Sequence, residues 1–401
     1  MAKKSLKKQL GSIYWKAHNG FQIALYRKFM VKHCKIDEKV ILFESMLGRG
    51  YSCNPKAIYE EMLAQGLDKE YKIYWIFDRG EKTEVPGKVH YLTRNSLRYH
   101  HLMAKAKIWV FNTRQLDYII KRKEQEYIQT WHGTPLKLLG LDMEEVFMAG
   151  NAGIESYKAN FWNHSRRWDH LIAPNPYCEE IFERCFDFHK DMICTGYPRN
   201  DTLVNNNNEE YINRLKDKYK IPKDKKVILY APTWRDTESI SRGKYVFNPH
   251  INFDKLYRAL KDEYVLIVKY HYLIAQGLDF RRFGGFIRSI DTDISDLYLI
   301  SDIHMTDYSS TMFDYAVLNR PIIFYTYDLE EYCSNRGLYF DFKAEAPGPL
   351  IENTEDLIAF LQNPDYTPYK EKMQAFREKF NCWEDGKGSK RIVELIRSFN
   401  K

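Results

Sequence analysis

Short apolar runs alternate with amphipathic, helix-like stretches along almost the whole chain, and the alternation halts once and restarts. In the first half the runs are "KVILFESM", "YKIYWIFD", "AKIWVFN", "EYIQTW" and "HLIAPN", with "NPKAIYEEMLAQG" and "NPYCEEIFERCF" reading as helices among them. In the second half they are "KVILYAPTW", "YVLIVKYH", "SDIHMTD" and "PIIFY". This is the pattern of an α/β protein with parallel sheets. Between the halves lies "NNNNEEYINRLKDKYKIPKDKK", polar, charged and closed by Pro222, which marks a domain junction. With 401 residues, two domains of ordinary size are expected. The divisions are a basic segment 1–36, an α/β domain 37–204, a linker 205–226, a second α/β domain 227–375 and a C-terminal helix 376–401.

The basic segment carries Lys3, Lys4, Lys7, Lys8, Lys16, Arg27, Lys28, Lys32 and Lys35 before the first acid, Asp37. Trp15, Phe21, Phe29 and several aliphatic residues are interleaved with them. Such a helix can lie flat on an anionic bilayer, lysines among the headgroups and rings below. The plainer reading is a basic surface helix, and Gly20 interrupts the pattern. No apolar run is long enough to span a bilayer, and no secretory signal is present. The seven cysteines form no CxxC pair, which predicts reduced thiols, no disulfide framework and no zinc site. The expected location is the cytoplasmic face of the cell membrane, as a peripheral protein. Nucleic-acid binding is not expected, because the basic residues concentrate in one terminal segment and no binding module is recognisable.

In doubly wound folds, ligands bind outside the carboxyl ends of the strands, so those ends hold the candidate site. "VILYA" ends in Pro232, Thr233, Trp234, Arg235 and Asp236, and "YVLIVKY" ends in Lys269 and His271. "SDIHM" ends in Thr306, Asp307, Tyr308, Ser309, Ser310 and Thr311. A helix starting near Ser309 would offer unpaired N–H groups, a positive dipole end and hydroxyls to a phosphate. Taken alone, Ser-Ser-Thr is a helix cap; beside Arg235 and His271 it reads as a phosphate site. In the first half, "YIQTWHGTPLK" puts His132 after a strand, with Gly133 allowing close backbone approach and Thr134-Pro135 starting a helix. An imidazole there is a general-base candidate, and Lys137 can neutralise phosphate. "TGYPRND" closes another strand with Arg199 and Asp201, either of which also fits an interdomain salt bridge.

"QTWHGTPLK", "TGYPRND", "LYAPTWRD", "DISDLY", "TDYSSTMFDYAVLNRPIIFY" and "APGPL", in that order, resemble the CDP-glycerol glycerophosphotransferase family of teichoic acid biosynthesis. The resemblance covers the chain from about Val40 to the C-terminal region. It implies a GT-B-like architecture, two Rossmann-type domains with parallel sheets facing a central cleft. The N-terminal half would hold a membrane-lipid-linked acceptor and the C-terminal half CDP-glycerol. On this basis His132 and His271 are catalytic. Thr233, Arg235, Asp236, Asp307, Ser309, Ser310, Thr311 and Arg336 bind the CDP-polyol. Gly133, Thr134, Lys137 and Arg199 lie on the acceptor side. No metal and no cofactor are expected. Cys53 stands where the family pattern leads us to expect Asp, and Tyr272 where many members have Pro. The absence of a long N-terminal extension suggests a primase-like or few-unit transferase. CDP-ribitol is the alternative donor, and a GT-B glycosyltransferase using a nucleotide sugar or a non-catalytic membrane scaffold are the rival functions.

Overall fold

The apolar runs become strands, and each lies parallel to its sheet neighbours. The computed structural model describes residues 19–81, 83–145, 153–233, 239–241, 244–245, 250–269, 279–335 and 337–399. The front lobe contains β1 (Asp37–Glu44), β2 (Lys72–Phe77), β3 (His90–Thr93), β4 (Ala106–Phe111), β5 (Glu126–Gln129), β6 (His170–Ala173) and β7 (Ile193–Cys194). The rear lobe contains β8 (Lys226–Tyr230), a separate antiparallel pair β9 (Ser239–Ser241) and β10 (Lys244–Tyr245), then β11 (Tyr264–Val268), β12 (Ile287–Arg288), β13 (Ile303–Thr306), β14 (Ile322–Tyr325) and β15 (Leu350–Ile351).

The front sheet runs β3-β2-β1-β4-β5-β6-β7 and the rear sheet β12-β11-β8-β13-β14-β15. Counted from its own first strand, each follows the order 3-2-1-4-5-6 of doubly wound nucleotide-binding sheets. The ligand crevice of such a sheet opens where the order reverses. That point lies between β1 and β4 in front and between β8 and β13 behind.

Why these runs form inner strands is visible in their side chains. Val40 and Leu42 enter the core on one face of the front sheet, Ile41 and Phe43 the core on the other. Behind, Val227, Leu229, Val265 and Ile267 fill one face while Ile228, Tyr230, Leu266 and Val268 fill the other. With helices over both faces, alternate residues are all buried, so the strands read as unbroken apolar runs.

Six helices matter for the site: α1 (Cys53–Ala64), α2 (Ile154–Ser165), α3 (Pro176–Phe186), α4 (Thr311–Ala316), α5 (Lys370–Phe380) and α6 (Gly388–Ser398). α3 starts as its sequence predicts, with Asn175 accepting the Cys178 N–H and Pro176 in the first turn. Within the stretch marked as the junction, Glu209–Lys218 is helical, capped by Asn208, and Leu215 and Ile221 join a core cluster of the rear lobe. The charged tail is two helices rather than one. α5 sends Met373, Phe376 and Phe380 into that rear cluster, whereas α6 returns to the front lobe and buries Ile392, Val393 and Ile396 there. Each such side chain contributes roughly 1.5–3 kcal/mol of burial, so the chain end ties the lobes together.

A second tie is made by backbone. Lys137 and Leu338 form an antiparallel bridge, flanked by Leu138 N–H to the Gly337 carbonyl at 3.0 Å and Tyr339 N–H to the Leu136 carbonyl at 3.0 Å. A Cβ on Gly337 would stand 2.3 Å from the Leu138 side chain, which would have to move to admit any larger residue at this crossing.

Residues 19–33 are helical, and Gly20 does not break them. Tyr26 and Met30 are buried against the front lobe, the Tyr26 hydroxyl donating to the Ile120 carbonyl at 2.9 Å. Phe21 and Phe29 are left 66% and 57% exposed beside exposed Arg27, Lys28 and Lys32. Residues 1–18 of the basic segment lie outside the described residues. Among the described residues no helix is long and apolar enough to cross a membrane.

Candidate active site

After β5 the chain turns sharply at Trp131, whose φ is +49°. Its indole is buried against Phe186, ring centroids 4.8 Å apart, and its main-chain N–H donates to the Gln129 Oε1 at 3.0 Å. Asn54, fully buried at the start of α1, braces this turn by donating to the carbonyls of Thr130 (3.0 Å) and Trp131 (3.1 Å). The next residue, His132, places Nδ1 2.7 Å from the Asn112 carbonyl. A carbonyl only accepts, so Nδ1 carries the proton and the lone pair sits on Nε2. Burial lowers the imidazole pKa to about 4; the Asn112 bond opposes this, and the Arg199 and Arg114 charges reinforce it. At neutral pH His132 is therefore uncharged, with a nitrogen ready to take a proton.

Gly133 carries this loop onto the rear lobe. A Cβ there would lie 3.2 Å from the Ser310 Oγ. Arg199 locks the contact: one terminal nitrogen donates to the His132 carbonyl at 2.7 Å, the other to the Asp314 Oδ1 in α4 at 2.9 Å. Both side chains of this pair are about nine-tenths buried. Arg199 is thus the interdomain salt bridge that the sequence left open, and it holds His132 by its backbone. Its main-chain N–H bonds the Asn54 Oδ1 at 3.1 Å, and its guanidinium reaches the Cys53 Sγ at 3.3 Å. Asp201, two residues on, instead accepts the Gly388 and Ser389 N–H groups at the start of α6.

On the rear side, Asp307 accepts the Thr233 N–H through both oxygens, at 2.9 and 3.1 Å. The loops after β8 and β13 are joined there, at the reversal point of the sheet. The hydroxyl run then divides. Ser309 Oγ accepts the Thr311 N–H at 3.3 Å. Ser310, at the helix cap position, makes no side-chain capping bond and faces Gly133. Thr311 turns inward, its Oγ1 2.9 Å from the His304 Nε2. Of the three hydroxyls expected to meet a phosphate, Thr311 is therefore engaged in the interior, because a buried imidazole needs its bond.

The expected helix after Thr134-Pro135 does not form. Proline permits a helix start, but the backbone of Leu136–Leu139 pairs with the rear lobe instead. Thr134 is buried beside the Cys178 thiol. Lys137 sits in the interlobe bridge with its ammonium 5.1 Å from the Tyr332 ring centroid. Arg235, Asp236, His271 and Arg336 lie outside the described residues. Sequence reasoning missed Asn54, Asn112, Arg114 and Asp314. Asn112 and Arg114 directly follow the run "AKIWVF", so inspection of that strand end would have found them. Beside Arg199 a cavity of about 490 Å³ opens between the lobes, lined by Cys53, Lys56, Asp293 and Lys390 among others. Lys56 and Asp293 close one wall as an ion pair at 3.0 Å. Among the described residues no group of three or more His, Cys, Asp or Glu is placed to hold a metal ion.

Comparison with known proteins gives concordant matches. A family model described as CDP-Glycerol:Poly(glycerophosphate) glycerophosphotransferase matches residues 25–398. The chain is 44% identical over 373 residues to the teichoic acid poly(glycerol phosphate) polymerase of Bacillus subtilis (strain 168), covering 92% of this chain and 50% of that protein. It is 43% identical over 381 residues to the teichoic acid glycerol-phosphate transferase of Staphylococcus aureus (strain NCTC 8325 / PS 47), covering 93% and 96%. The chain thus spans half the length of the polymerase and nearly all of the transferase. Among solved structures, a variant of the wall teichoic acid polymerase TagF soaked with CDPG superimposes with a TM-score of 0.89 at 39% identity, covering 98% of this chain and 97% of that one.

Proposed function

Since this chain belongs to the CDP-glycerol:poly(glycerophosphate) glycerophosphotransferase family, we propose that it transfers glycerol phosphate from CDP-glycerol to a hydroxyl of a membrane-lipid-linked acceptor, releasing CMP, in teichoic acid synthesis. The observation that carries this reading is the meeting of the lobes at Gly133 and Ser310, with the open Nε2 of His132 next to it.

The acceptor hydroxyl attacks the glycerol-bearing phosphorus as its proton passes to His132 Nε2. The new O–P bond forms while the bond from that phosphorus to the CMP oxygen breaks, and the electron pair leaves with CMP. Ser309 and Ser310, together with Arg235 and His271, take the charge that develops on the diphosphate. A bound anion beside Arg199 and Arg114 offsets the cations that depress the imidazole, so substrate raises the basicity of Nε2 when it is needed. The two doubly wound sheets support a GT-B-like arrangement, with acceptor in front and donor behind.

Helix 19–33 supports a peripheral position on the cytoplasmic face of the membrane. It docks through Tyr26 and Met30 and presents Phe21, Phe29 and three cations outward. Co-sedimentation with phosphatidylglycerol vesicles, lost in a Phe21→Ser, Phe29→Ser variant, tests that placement.

A donor panel tests the activity. With a lipid-linked glycerol phosphate acceptor, CDP-glycerol yields CMP. Faster turnover of CDP-ribitol would reassign the polyol, and release of UDP from a UDP-sugar would replace the reaction with glycosyl transfer.

A further inference from the structure

At the reversal point of the front sheet, the mechanism above uses Arg114 only as a charge near the imidazole and leaves the buried Asn112 carboxamide without a role. Asn112 and Arg114 follow β4, next to the loop that follows β1. The Asn112 carboxamide has a fixed orientation, because its Oδ1 accepts the Met46 N–H at 2.9 Å. Its NH₂ group must then face away from Met46. The residue is fully buried, yet among the described residues Nδ2 has no hydrogen-bond partner. Such an unmade bond is costly, so a ligand oxygen that completed it would be held there.

Arg114 stands two residues on. Its guanidinium lies 3.6 Å from the centroid of the Phe161 ring in α2, and Nη1 donates to the Asn160 Oδ1 at 2.7 Å. The nearby carboxylate, Asp117, is occupied by Asn160 Nδ2 at 2.9 Å and His164 Nε2 at 2.7 Å. Asn160 thus stands between the arginine and the acid, and among the described residues no carboxylate touches Arg114. The stack and the Asn160 bond fix the plane of the fork, and among the described residues its remaining N–H groups make no hydrogen bond. Burial lowers the Arg114 pKa, as expected for a cation short of negative partners. A planar fork with a free edge suits bidentate recognition of a phosphate.

We propose that Asn112 and Arg114 form an anion subsite that grips a phosphodiester of the acceptor beside His132. This rests on the glycerophosphotransferase reading. In a poly(glycerophosphate) acceptor the last phosphodiester lies one glycerol unit from the terminal hydroxyl. Holding that phosphate sets the hydroxyl near Nε2, since the Asn112 carbonyl also orients the imidazole.

The test uses the full chain and two lipids, an alkyl phosphoglycerol and the same alkyl chain ending in glycerol without phosphate. Wild type selects the phosphodiester lipid. Arg114→Gln lowers that selectivity in kcat/KM by about tenfold to a hundredfold, with the change in acceptor KM rather than in KM for CDP-glycerol. Arg114→Lys, which keeps the charge and loses the fork, falls between; it also serves should the Gln variant fold poorly. A rise in KM for CDP-glycerol instead would assign the arginine to the donor and overturn the subsite. So would equal calorimetric affinity of wild type and Arg114→Gln for the phosphoglycerol lipid, a binding readout that needs no turnover. Failure of wild type to release CMP from CDP-glycerol with either lipid overturns the reaction reading separately.

Discussion

Two histidines, one sealed within the rear lobe and one half-buried at the front of the cleft, invite comparison. His304 lies within β13, sealed from solvent, with Nδ1 donating to the Leu229 carbonyl at 3.2 Å and Nε2 accepting from the Thr311 hydroxyl at 2.9 Å. Burial pushes its pKa down to about 3. His132 also donates through Nδ1 to a backbone carbonyl, and its pKa is also lowered, to about 4, again by burial first. The two imidazoles are equally neutral at pH 7. They differ in the second nitrogen, which is bonded in the rear lobe and, among the described residues, has no partner in the front. Depressed basicity marks burial in both; only the open nitrogen marks a base.

The largest effect separates them directly. His132→Ala lowers turnover by about a hundredfold to ten-thousandfold, while His304→Ala leaves turnover per folded molecule unchanged. The latter instead costs about 1–3 kcal/mol of stability, because the Leu229 carbonyl and Thr311 hydroxyl lose their partner. A urea midpoint and a CMP-release rate for each variant would expose any exchange of roles.

Next is the clamp that only His132 possesses. Arg199→Ala leaves Asp314 buried without its partner and destabilises by about 3–5 kcal/mol. Turnover falls as well, since the His132 carbonyl loses its anchor. Full turnover in a folded Arg199→Ala protein would detach the clamp from the site.

The pH dependence of stability sharpens the likeness between the two histidines. Both folded pKa values lie below the ordinary 6.5, so between pH 6.5 and about 4 the unfolded chain binds protons that the native state refuses. Stability is full above that window and falls as pH drops through it, by about 1.4 kcal/mol per unit for a fully buried imidazole. His304→Gln should flatten this slope in acid denaturation curves.

The smallest effect concerns the outer interlobe pair. Lys56→Ala removes the partner of Asp293, but both side chains retain solvent contact, and the shift in urea midpoint should correspond to about 1 kcal/mol or less. A loss as large as that of Arg199→Ala would move the principal clamp away from the His132 loop.

How much was legible follows from where the signals lie. β1, β2, β4, β8 and β11 announce themselves because each runs five or more residues with at least four buried, on both faces of the sheet. β7, β12 and β15 have two residues each, too few to carry a period. His132, Gly133, Arg199 and Ser310 were found from strand ends, and they do converge. The Leu136–Leu139 joint reads as a helix in the sequence because its pairing partner lies 200 residues downstream, beyond any local signal. Thr311 looked like its serine neighbours, since no sequence pattern shows that His304 draws its hydroxyl inward. Asn54 and Asn112 carry no charge and no motif; their roles appear only when the backbone groups they hold are seen.

The central claim is that a neutral His132 with an open Nε2 accepts the acceptor's proton. The most direct measurement follows the His132 ring nitrogens by ¹⁵N NMR in the free protein, alongside the pH profile of kcat/KM for CMP release. The account predicts an Nδ1–H tautomer at pH 7, and an acid limb in kcat/KM that coincides with protonation of Nε2 near pH 4. An imidazolium at pH 7, or an acid limb unrelated to the His132 titration, would contradict it.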